Sequence, residues 1–231
     1  MQTSFKNLEL DGKAVDIAVE NGRIASITPS EPSQSRARPV VPAFYNCHTH
    51  LAMSLLRGYA DDLELMPWLQ EHIWPAEAHL TDEIVYAGTR LAILELIRSG
   101  TVFANDMYWY APAVARAAEE MGIRCAVSMQ TIETGGPGHN DPKNIAANKV
   151  LASLPRDASA RVVATYAPHA IYTTTKELLQ SVADKAEQFN VAIHTHAAET
   201  RFEVDSCLKE HNMTPIEYLD SVGIQIGRAH V

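Results

Sequence analysis

VVPAFYNCHTH, at residues 40–50, is the stretch that decides how the rest of the chain is interpreted. It begins as an apolar run with no helical period and ends in two histidines one residue apart. Because residues i and i+2 of a strand lie on the same side, we expect the side chains of His48 and His50 to stand together where a strand ends. Two neutral imidazoles in that position can bind one cation, typically zinc. Taken alone, the pattern fits two polar residues at a strand end equally well.

The composition indicates a folded protein that binds a small ligand. Of 231 residues, 46% are hydrophobic and 20% are charged, which is typical of a globular chain rather than a disordered one. The formal net charge of −9 argues against nucleic acid or an anionic membrane, because such surfaces are bound mainly through Lys and Arg. We therefore expect a small neutral or cationic ligand, and neither a nucleic-acid nor a membrane partner.

Cysteine usage and the N-terminus predict a cytoplasmic location. Cys47, Cys125 and Cys207 are dispersed and have no CxxC spacing, so we expect three small buried side chains rather than disulfides or zinc ligands. The N-terminus has no basic region followed by an apolar core, and no run approaches 18 apolar residues. These features are typical of a protein in a reducing compartment.

Residues 1–40 are expected to form a small β domain. Val15, Ile17 and Val19 alternate with polar or small residues, and Asn21-Gly22 separates them from a second apolar run. Asn-Gly is a strong hairpin signal because both turn positions need a positive φ. The region 28–39 is rich in Ser, Pro and Arg and predicts a linker. The predicted domains are therefore a hairpin portion of a small β domain at 1–40 and a partial (β/α) barrel at 41–231.

Strands and helices alternate in the rest of the chain. The strands are predicted in the run before His48 and at 101–106, 123–129, 161–168, 191–195 and 228–231. The predicted helices lie at 51–58, 67–73, 81–99, 112–122, 144–154, 174–190 and 214–223, with Thr81 as an N-cap and Thr174 with Glu177 as a capping box. This alternation requires parallel strands with crossover helices, so the class is α/β. Two architectures fit this alternation, a parallel barrel and a doubly wound sheet.

The polar side chains that carry chemistry follow the predicted strands. In chain order they are His48, His50, Asp106, His169, His196, Glu199 and His230. In a barrel the carboxyl ends of the strands form one face, where active sites lie. His196 would complete a cation site with positions left open for water, and bound water becomes hydroxide near neutral pH. Glu199 could then move the proton to the departing group.

Three motifs carry a resemblance to a known family: His-Thr-His at 48–50, Leu-Leu-Arg-Gly at 55–58 and Trp-Pro-Ala-Glu at 74–77. The chain resembles the amidohydrolase superfamily from about Asp16 to its last residue. Within it, the chain is most similar to the methylthioadenosine/S-adenosylhomocysteine deaminases and their triazine-hydrolase relatives. The resemblance implies a metal-dependent (β/α)8 TIM-type barrel, of which about six of eight strands are present, beside part of a small β-sandwich domain.

The resemblance also implies a role for each site residue. The implied ligands of one divalent metal ion, zinc before iron, nickel or manganese, are His48, His50 and His196. Glu199 resembles the proton-transferring carboxylate, and His230 the histidine that orients and helps deprotonate the water. Glu77 resembles the carboxylate that accepts hydrogen bonds from ribose hydroxyls, and His169 the histidine that reaches the purine or its ribose.

Several of these positions also have a structural interpretation. Glu77 could be a solvated helix residue, His169 a turn residue and Glu199 a carboxylate at a helix entry. His194 shares a strand face with His196, but we expect it to be hydrogen-bonded rather than a ligand. Asp106 is expected to hold the mouth of the barrel by hydrogen bonds.

These observations indicate a metal-dependent hydrolytic deaminase. Its substrate would be an aminated purine nucleoside of the methylthioadenosine, S-adenosylhomocysteine or adenosine type, with release of ammonia. A related amidohydrolase with another leaving group is an alternative: a triazine chlorohydrolase, a guanine deaminase or a cyclic amidase. The second alternative is an inactive truncated barrel that acts only as a binding or assembly partner.

Two departures from the family pattern bear on this interpretation. The family's aspartate ligand on the eighth strand has no counterpart before Val231. Residues 128–131 lack an arginine that some members use to hold the homocysteine carboxylate. The first departure leads us to expect a chain that forms a homo-oligomer or is completed by a further C-terminal segment. The second argues against S-adenosylhomocysteine as the substrate.

Overall fold

A computed structural model describes residues 2–31, 33, 35–133 and 160–225. The chain divides into two compact units, Met1–Ala43 and Phe44–Val231. The predicted helix at 144–154, the predicted strand at 228–231 and His230 lie outside the described residues. None of the described helices combines the length and the apolar character needed to cross a membrane.

The first unit contains a four-stranded sheet in its described residues, with strand order β3-β2-β1-β4. The strands are β1 (Gln2–Leu10), β2 (Lys13–Glu20), β3 (Arg23–Pro29) and β4 (Arg38–Pro39). The predicted Asn21-Gly22 hairpin is confirmed, because both residues have positive φ and Glu20 pairs with Arg23. Strand β1 was not predicted, although the Asp11-Gly12 turn that joins it to β2 has the same geometry.

The second unit is built on a parallel sheet with the strand order β5-β6-β7-β8, so the predicted α/β class is confirmed. The strands are β5 (Phe44–Thr49), β6 (Thr101–Tyr108), β7 (Arg124–Thr131) and β8 (Val162–Pro168). The described α-helices of at least 7 residues are α1 (Asp82–Arg98), α2 (Ala111–Met121), α3 (Lys176–Phe189), α4 (Arg201–His211) and α5 (Pro215–Ser221). Shorter helical pieces cover Leu51–Leu56 and residues 65–77.

Helices α1 and α2 cover the sheet through small and branched side chains. Val85 and Ile93 of α1 are fully buried, and they join Val114 of α2 and Val127 of β7 in one apolar cluster. The short helical piece that follows His50 is held against α1 by a hydrogen bond from the Ser54 hydroxyl to the carbonyl of residue 88. The core therefore positions the chain directly after His48 in β5 and His50, which follows that strand.

The predicted fifth strand at 191–195 is reduced to a single parallel bridge between Tyr166 and Ile193. The Tyr166 N–H donates to Ala192, and the His194 N–H donates back to Tyr166. The His196 N–H donates instead to the carbonyl of His169, which lies beyond the end of β8. The backbone thus leaves the strand ladder after one bridge, although it continues along the edge of the sheet.

The apolar run before His48 forms a strand, but that strand is largely exposed, so the expectation that Cys47 is buried was wrong. Phe44 and Tyr45 are 57% and 68% exposed, and Cys47 is exposed rather than buried. The physical reason is that β5 pairs with β6 alone in the part of the chain that the structure describes, so one edge of β5 is uncovered.

Threonine side chains cap the starts of helices α1, α3 and α4. One of these caps was predicted correctly, one was predicted one residue too early, and one belongs to a helix that was not predicted. Thr81 accepts a hydrogen bond from the Ile84 N–H, as predicted for an N-cap. Helix α3 is capped by Thr175, which accepts from Leu178, and not by Thr174, whose hydroxyl donates to the Ala170 carbonyl. Helix α4 was not predicted, although Thr200 caps it in the same way.

Replacing Ile93 with Ala should destabilise the second unit by about 2–5 kcal/mol, because the cavity would open in a fully buried position. Ile97→Ala is the matched control on the same helix. Since Ile97 is 45% exposed, its truncation should change the free energy of unfolding by less than about 0.5 kcal/mol. Urea unfolding measures both. Equal effects of the two substitutions would contradict the assigned core.

Candidate metal centre

Three histidines from distant parts of the sequence meet at the carboxyl end of the sheet. His48 and His50 lie at the end of β5, and His196 follows the bridge at Ile193. One ring nitrogen of each lies within 4.8 Å of the others. The ring centroids are 5.0 Å apart for His48 and His50, 4.9 Å for His48 and His196, and 5.3 Å for His50 and His196. The structure thus brings the three predicted ligands together.

Hydrogen bonds orient two of these rings. Nδ1 of His50 donates to the carbonyl of Met107 on β6, which leaves Nε2 free as a ligand. Nδ1 of His48 lies 2.8 Å from Nε2 of His194. A proton on His48 Nδ1 leaves its Nε2 free in the same way. His194 therefore has the hydrogen-bonded position that we predicted for it, next to a ligand.

The electrostatics of the centre favour neutral rings. Burial lowers the pKa of His50 to about 4 and that of His196 to about 4. Both imidazoles are therefore uncharged at neutral pH and keep a lone pair for a cation. Nδ1 of His196 is buried and has no hydrogen-bond partner among the described residues. A set of three imidazoles fits a zinc ion with an open coordination position.

His169 packs against this cluster. Its ring centroid lies 4.8 Å from that of His196, and its Nδ1 is 2.9 Å from the Thr173 hydroxyl. The side chain is buried, and burial lowers its pKa to about 3. The structure therefore places His169 beside the predicted ligands, with its Nδ1 engaged by the loop that follows β8.

Glu77 is buried, so it is not a solvated helix residue. It is 8% exposed, and its Oε2 accepts a hydrogen bond of 2.9 Å from Nε1 of Trp109. Burial raises the pKa of Glu77, and the bond from Trp109 opposes that rise. Tyr108 precedes Trp109, and its ring centroid lies 6.0 Å from that of His50. Glu77 is thus connected to the histidine cluster through the end of β6.

Glu199 is connected to the cluster through Tyr172 and His169. Its Oε2 accepts a hydrogen bond of 3.1 Å from the Tyr172 hydroxyl, and the Tyr172 ring lies 6.0 Å from the ring of His169. Glu199 is exposed and precedes helix α4 by two residues. The carboxylate is therefore open to a ligand and is linked to His196 through Tyr172 and His169.

Asp106 holds the exit from β5. It is fully buried, and its Oδ1 accepts a hydrogen bond of 2.6 Å from the N–H of Leu51, the residue after His50. This contact fits the predicted structural role. Burial raises the pKa of Asp106 to about 7, and the hydrogen bond from Leu51 opposes the rise.

Sequence reasoning did not identify Trp109, Tyr172 or Glu203 as neighbours of the site. Glu203 accepts hydrogen bonds from the backbone N–H groups of Ala198 and Glu199. The Thr-x-x-Glu spacing at 200–203 is a helix-start signal that could have located it. Trp109 directly follows β6, and Tyr172 lies in the loop after β8, so both could have been included as residues at strand ends.

Residues 40–230 match the amidohydrolase family. A 5'-deoxyadenosine deaminase of Methanothermobacter thermautotrophicus is 40% identical over 215 residues, which are 90% of this chain and 50% of that protein. A 5-methylthioadenosine/S-adenosylhomocysteine deaminase 1 of Archaeoglobus fulgidus is 40% identical over 217 residues, covering 93% of this chain and 47% of its own length. The chain thus spans about half the length of the relatives that it matches.

Solved structures show the same likeness. An adenosine deaminase from Xanthomonas campestris with bound zinc superposes with a TM-score of 0.78 at 34% identity, over 91% of this chain and 50% of that one. A guanine deaminase from C. acetobutylicum with bound guanine has a TM-score of 0.80 at 19% identity, over 96% of this chain and 60% of that one. The second likeness concerns the fold alone. These neighbours imply an α/β fold of the TIM-barrel type.

Replacing His194 with Ala should weaken zinc binding by about 10- to 100-fold, because His48 loses the partner that orients its ring. Titration of the metal-free protein with zinc against a competing chelator measures the affinity. His79→Ala, at an exposed position, is the control and should bind zinc like the unaltered protein. Unchanged affinity in His194→Ala would show that the contact does not support the centre.

Asp106 should make the stability of the metal-free protein fall as pH rises from about 4 to 7. Because its pKa is raised to about 7 in the folded state, the folded protein binds a proton in this range that the unfolded chain has released. Asp106→Asn removes this titration and should flatten the decline, as measured by urea unfolding at several pH values. The exposed substitution Asp184→Asn is the control. An equally steep decline in Asp106→Asn would refute the assignment.

Proposed function

Because the chain belongs to the amidohydrolase family, we propose that it carries the metal-binding part of a hydrolytic deaminase. The reaction would replace the amino group of an adenosine-type nucleoside by oxygen and release ammonia. The observation that carries this proposal is the meeting of His48, His50 and His196 in a chain that is 40% identical to relatives named as such deaminases.

The architecture proposed for the second unit is part of a (β/α)8 barrel. Its strands follow one another in the sheet in chain order, from β5 to β8, and Ile193 comes next to β8. A doubly wound sheet instead reverses its strand order at a switch point. The unbroken order supports the barrel, and the four-stranded sheet of the first unit would be part of a small β-sandwich domain.

His48, His50 and His196 would hold one divalent cation. Zinc is the first candidate, because the similar adenosine deaminase from Xanthomonas campestris contains it, and iron, nickel or manganese are the others. When bound, such an ion lowers the pKa of a water molecule and supplies hydroxide at neutral pH. The lowered pKa values of His50 and His196 keep these rings available as ligands.

Glu199 would be the group that transfers protons. Once protonated, its exposed carboxyl group, held by Tyr172, can deliver that proton to the ring nitrogen next to the amino group that is replaced. His230 would orient the attacking water and help to remove its proton, as the family resemblance implies. The two roles are complementary, because one group delivers a proton to the base and the other accepts one from water.

Glu77 and His169 would bind the nucleoside. A buried carboxylate is a strong acceptor for ribose hydroxyls, and Glu77 already accepts from Trp109 through one of its oxygens. His169 adjoins His196, so it can contact a base that lies over the metal centre. The net charge of −9 favours an uncharged nucleoside over a nucleotide phosphate.

The relatives favour an adenosine-type ring over the alternatives. Those named for 5'-deoxyadenosine or methylthioadenosine are about 40% identical to this chain. The triazine hydrolases and the guanine deaminase are 17% and 19% identical, so they support the fold but no substrate. A deaminase of adenosine-type nucleosides is therefore preferred to a triazine chlorohydrolase, a guanine deaminase or a cyclic amidase.

Replacing His196 with Ala should remove the bound metal and lower ammonia release by about 100-fold or more. The loss of a metal ligand should have a larger effect than the loss of a residue that only contacts a ligand. Metal analysis is combined with ammonia release from adenosine, 5'-deoxyadenosine, methylthioadenosine, S-adenosylhomocysteine and guanine. His79→Ala is the control. If His196→Ala retains both its metal and its deaminase activity, the proposed function is wrong.

A further inference from the structure

Two successive helices begin with the same motif but use its glutamate differently. In α5, Thr214 and Glu217 form a reciprocal capping box, in which the Glu217 carboxylate accepts from the backbone N–H of Thr214. In α4, Thr200 likewise accepts from the N–H of Glu203, but the Glu203 carboxylate reaches past the cap. Its two oxygens accept from the N–H groups of residues 198 and 199, at 3.1 and 2.8 Å.

The surroundings of Glu203 distinguish it from an ordinary capping residue. Glu203 is 2% exposed, whereas Glu217 is exposed. A carboxylate is buried at a large energetic penalty unless hydrogen bonds compensate it. Here each oxygen has one backbone donor, and the N-terminus of α4 adds a favourable dipole. The backbone N–H groups of residues 198 and 199 therefore compensate the burial of this carboxylate.

The segment held by Glu203 has a backbone that needs support. Ala198 has a φ of +57°, in the left-handed region that alanine enters at a steric penalty. Glu199 follows directly, and its side chain is exposed. Tyr172 donates to the carboxylate of Glu199, while Glu203 accepts from its backbone N–H. Glu199 is thus held at both ends, once through its main chain and once through its side chain.

We propose that Glu203 is a positioning residue that fixes the main chain of Glu199 so that its carboxylate is aligned for proton transfer. This inference rests on the proposed function of Glu199. Alignment matters because a displacement of about 1 Å at a reacting group can lower a rate by about 100-fold. Glu203 itself faces the backbone of residues 198 and 199 and has no part in the chemistry.

The carboxylate of Glu203 cannot be replaced by an amide of the same shape. A glutamine has one oxygen that accepts and one nitrogen that only donates. Glu203→Gln would therefore keep at most one of the two hydrogen bonds. At the other position its amide NH2, which is a donor, would face the second backbone N–H, which is also a donor. Glu217→Gln is the matched control, because it alters the same position of the same motif, and the Glu217 carboxylate accepts from the N–H of its own cap, Thr214, rather than from Glu199.

The experiment measures amide hydrogen exchange, zinc content and steady-state kinetics in the zinc-loaded protein. In Glu203→Gln, exchange at residues 198 and 199 should be at least about 10-fold faster, and kcat should fall by about 10- to 100-fold. The KM and the zinc content should stay within about threefold. Glu217→Gln should change none of these four quantities. If Glu203→Gln does not fold, Glu203→Asp, which keeps the charge but shortens the reach, tests the same contacts.

A double-mutant cycle separates positioning from general loosening. If Glu203 acts through Glu199, adding Glu203→Gln to Glu199→Gln should lower kcat by less than about twofold, because there is no carboxylate left to align. An equal loss in both backgrounds would overturn the inference, as would unchanged exchange and kcat in Glu203→Gln. If the unaltered protein releases no ammonia from any nucleoside, the proposed function fails. Faster exchange in Glu203→Gln would then still show that Glu203 holds residues 198 and 199.

Discussion

The hydrogen bond from His50 to the carbonyl of Met107 connects the metal centre to the parallel sheet. Met107 is fully buried on β6, between β5 and β7, so its carbonyl cannot move without disturbing the strand pairing. The next residue after His50 is tied to the same strand, because the Leu51 N–H donates to Asp106. Two consecutive residues at the exit of β5 therefore take their positions from β6. The orientation of the imidazole depends on the rigidity of the sheet rather than on the exposed strand that carries it.

The site has two flanks that are built by different means. On one, His50 and Glu77 take their places from contacts with residues at the end of β6 and directly after it. On the other, Glu199 and His169 lie in irregular segments that are held by individual hydrogen bonds with Glu203, Tyr172 and Thr173. Irregular backbone can present a side chain to a ligand, but each of its polar groups then needs a specific partner.

Local signals predicted much of the described part of both units and missed what depends on packing. The Thr81 cap and the Asn21-Gly22 turn were placed correctly because their chemistry is contained within four residues. Thr174 and Thr175 are adjacent candidates for one cap, and the choice between them follows from the Ala170 carbonyl, to which Thr174 donates. The edge position of β5, which exposes Phe44, also depends on which strands pair.

The sequence by itself determined the α/β class and the set of residues that could bind a metal, because strand-helix alternation and the His-x-His spacing are local patterns. Only the tertiary structure decided that His194 contacts His48 and that Trp109 bonds to Glu77. The physical reason is that the spacing of residues along a strand or helix predicts the face on which a side chain lies, but not the atom that it contacts. Hydrogen bonds between distant segments depend on distances of a few tenths of an ångström, which are set when the sheet, the helices and the loops pack together.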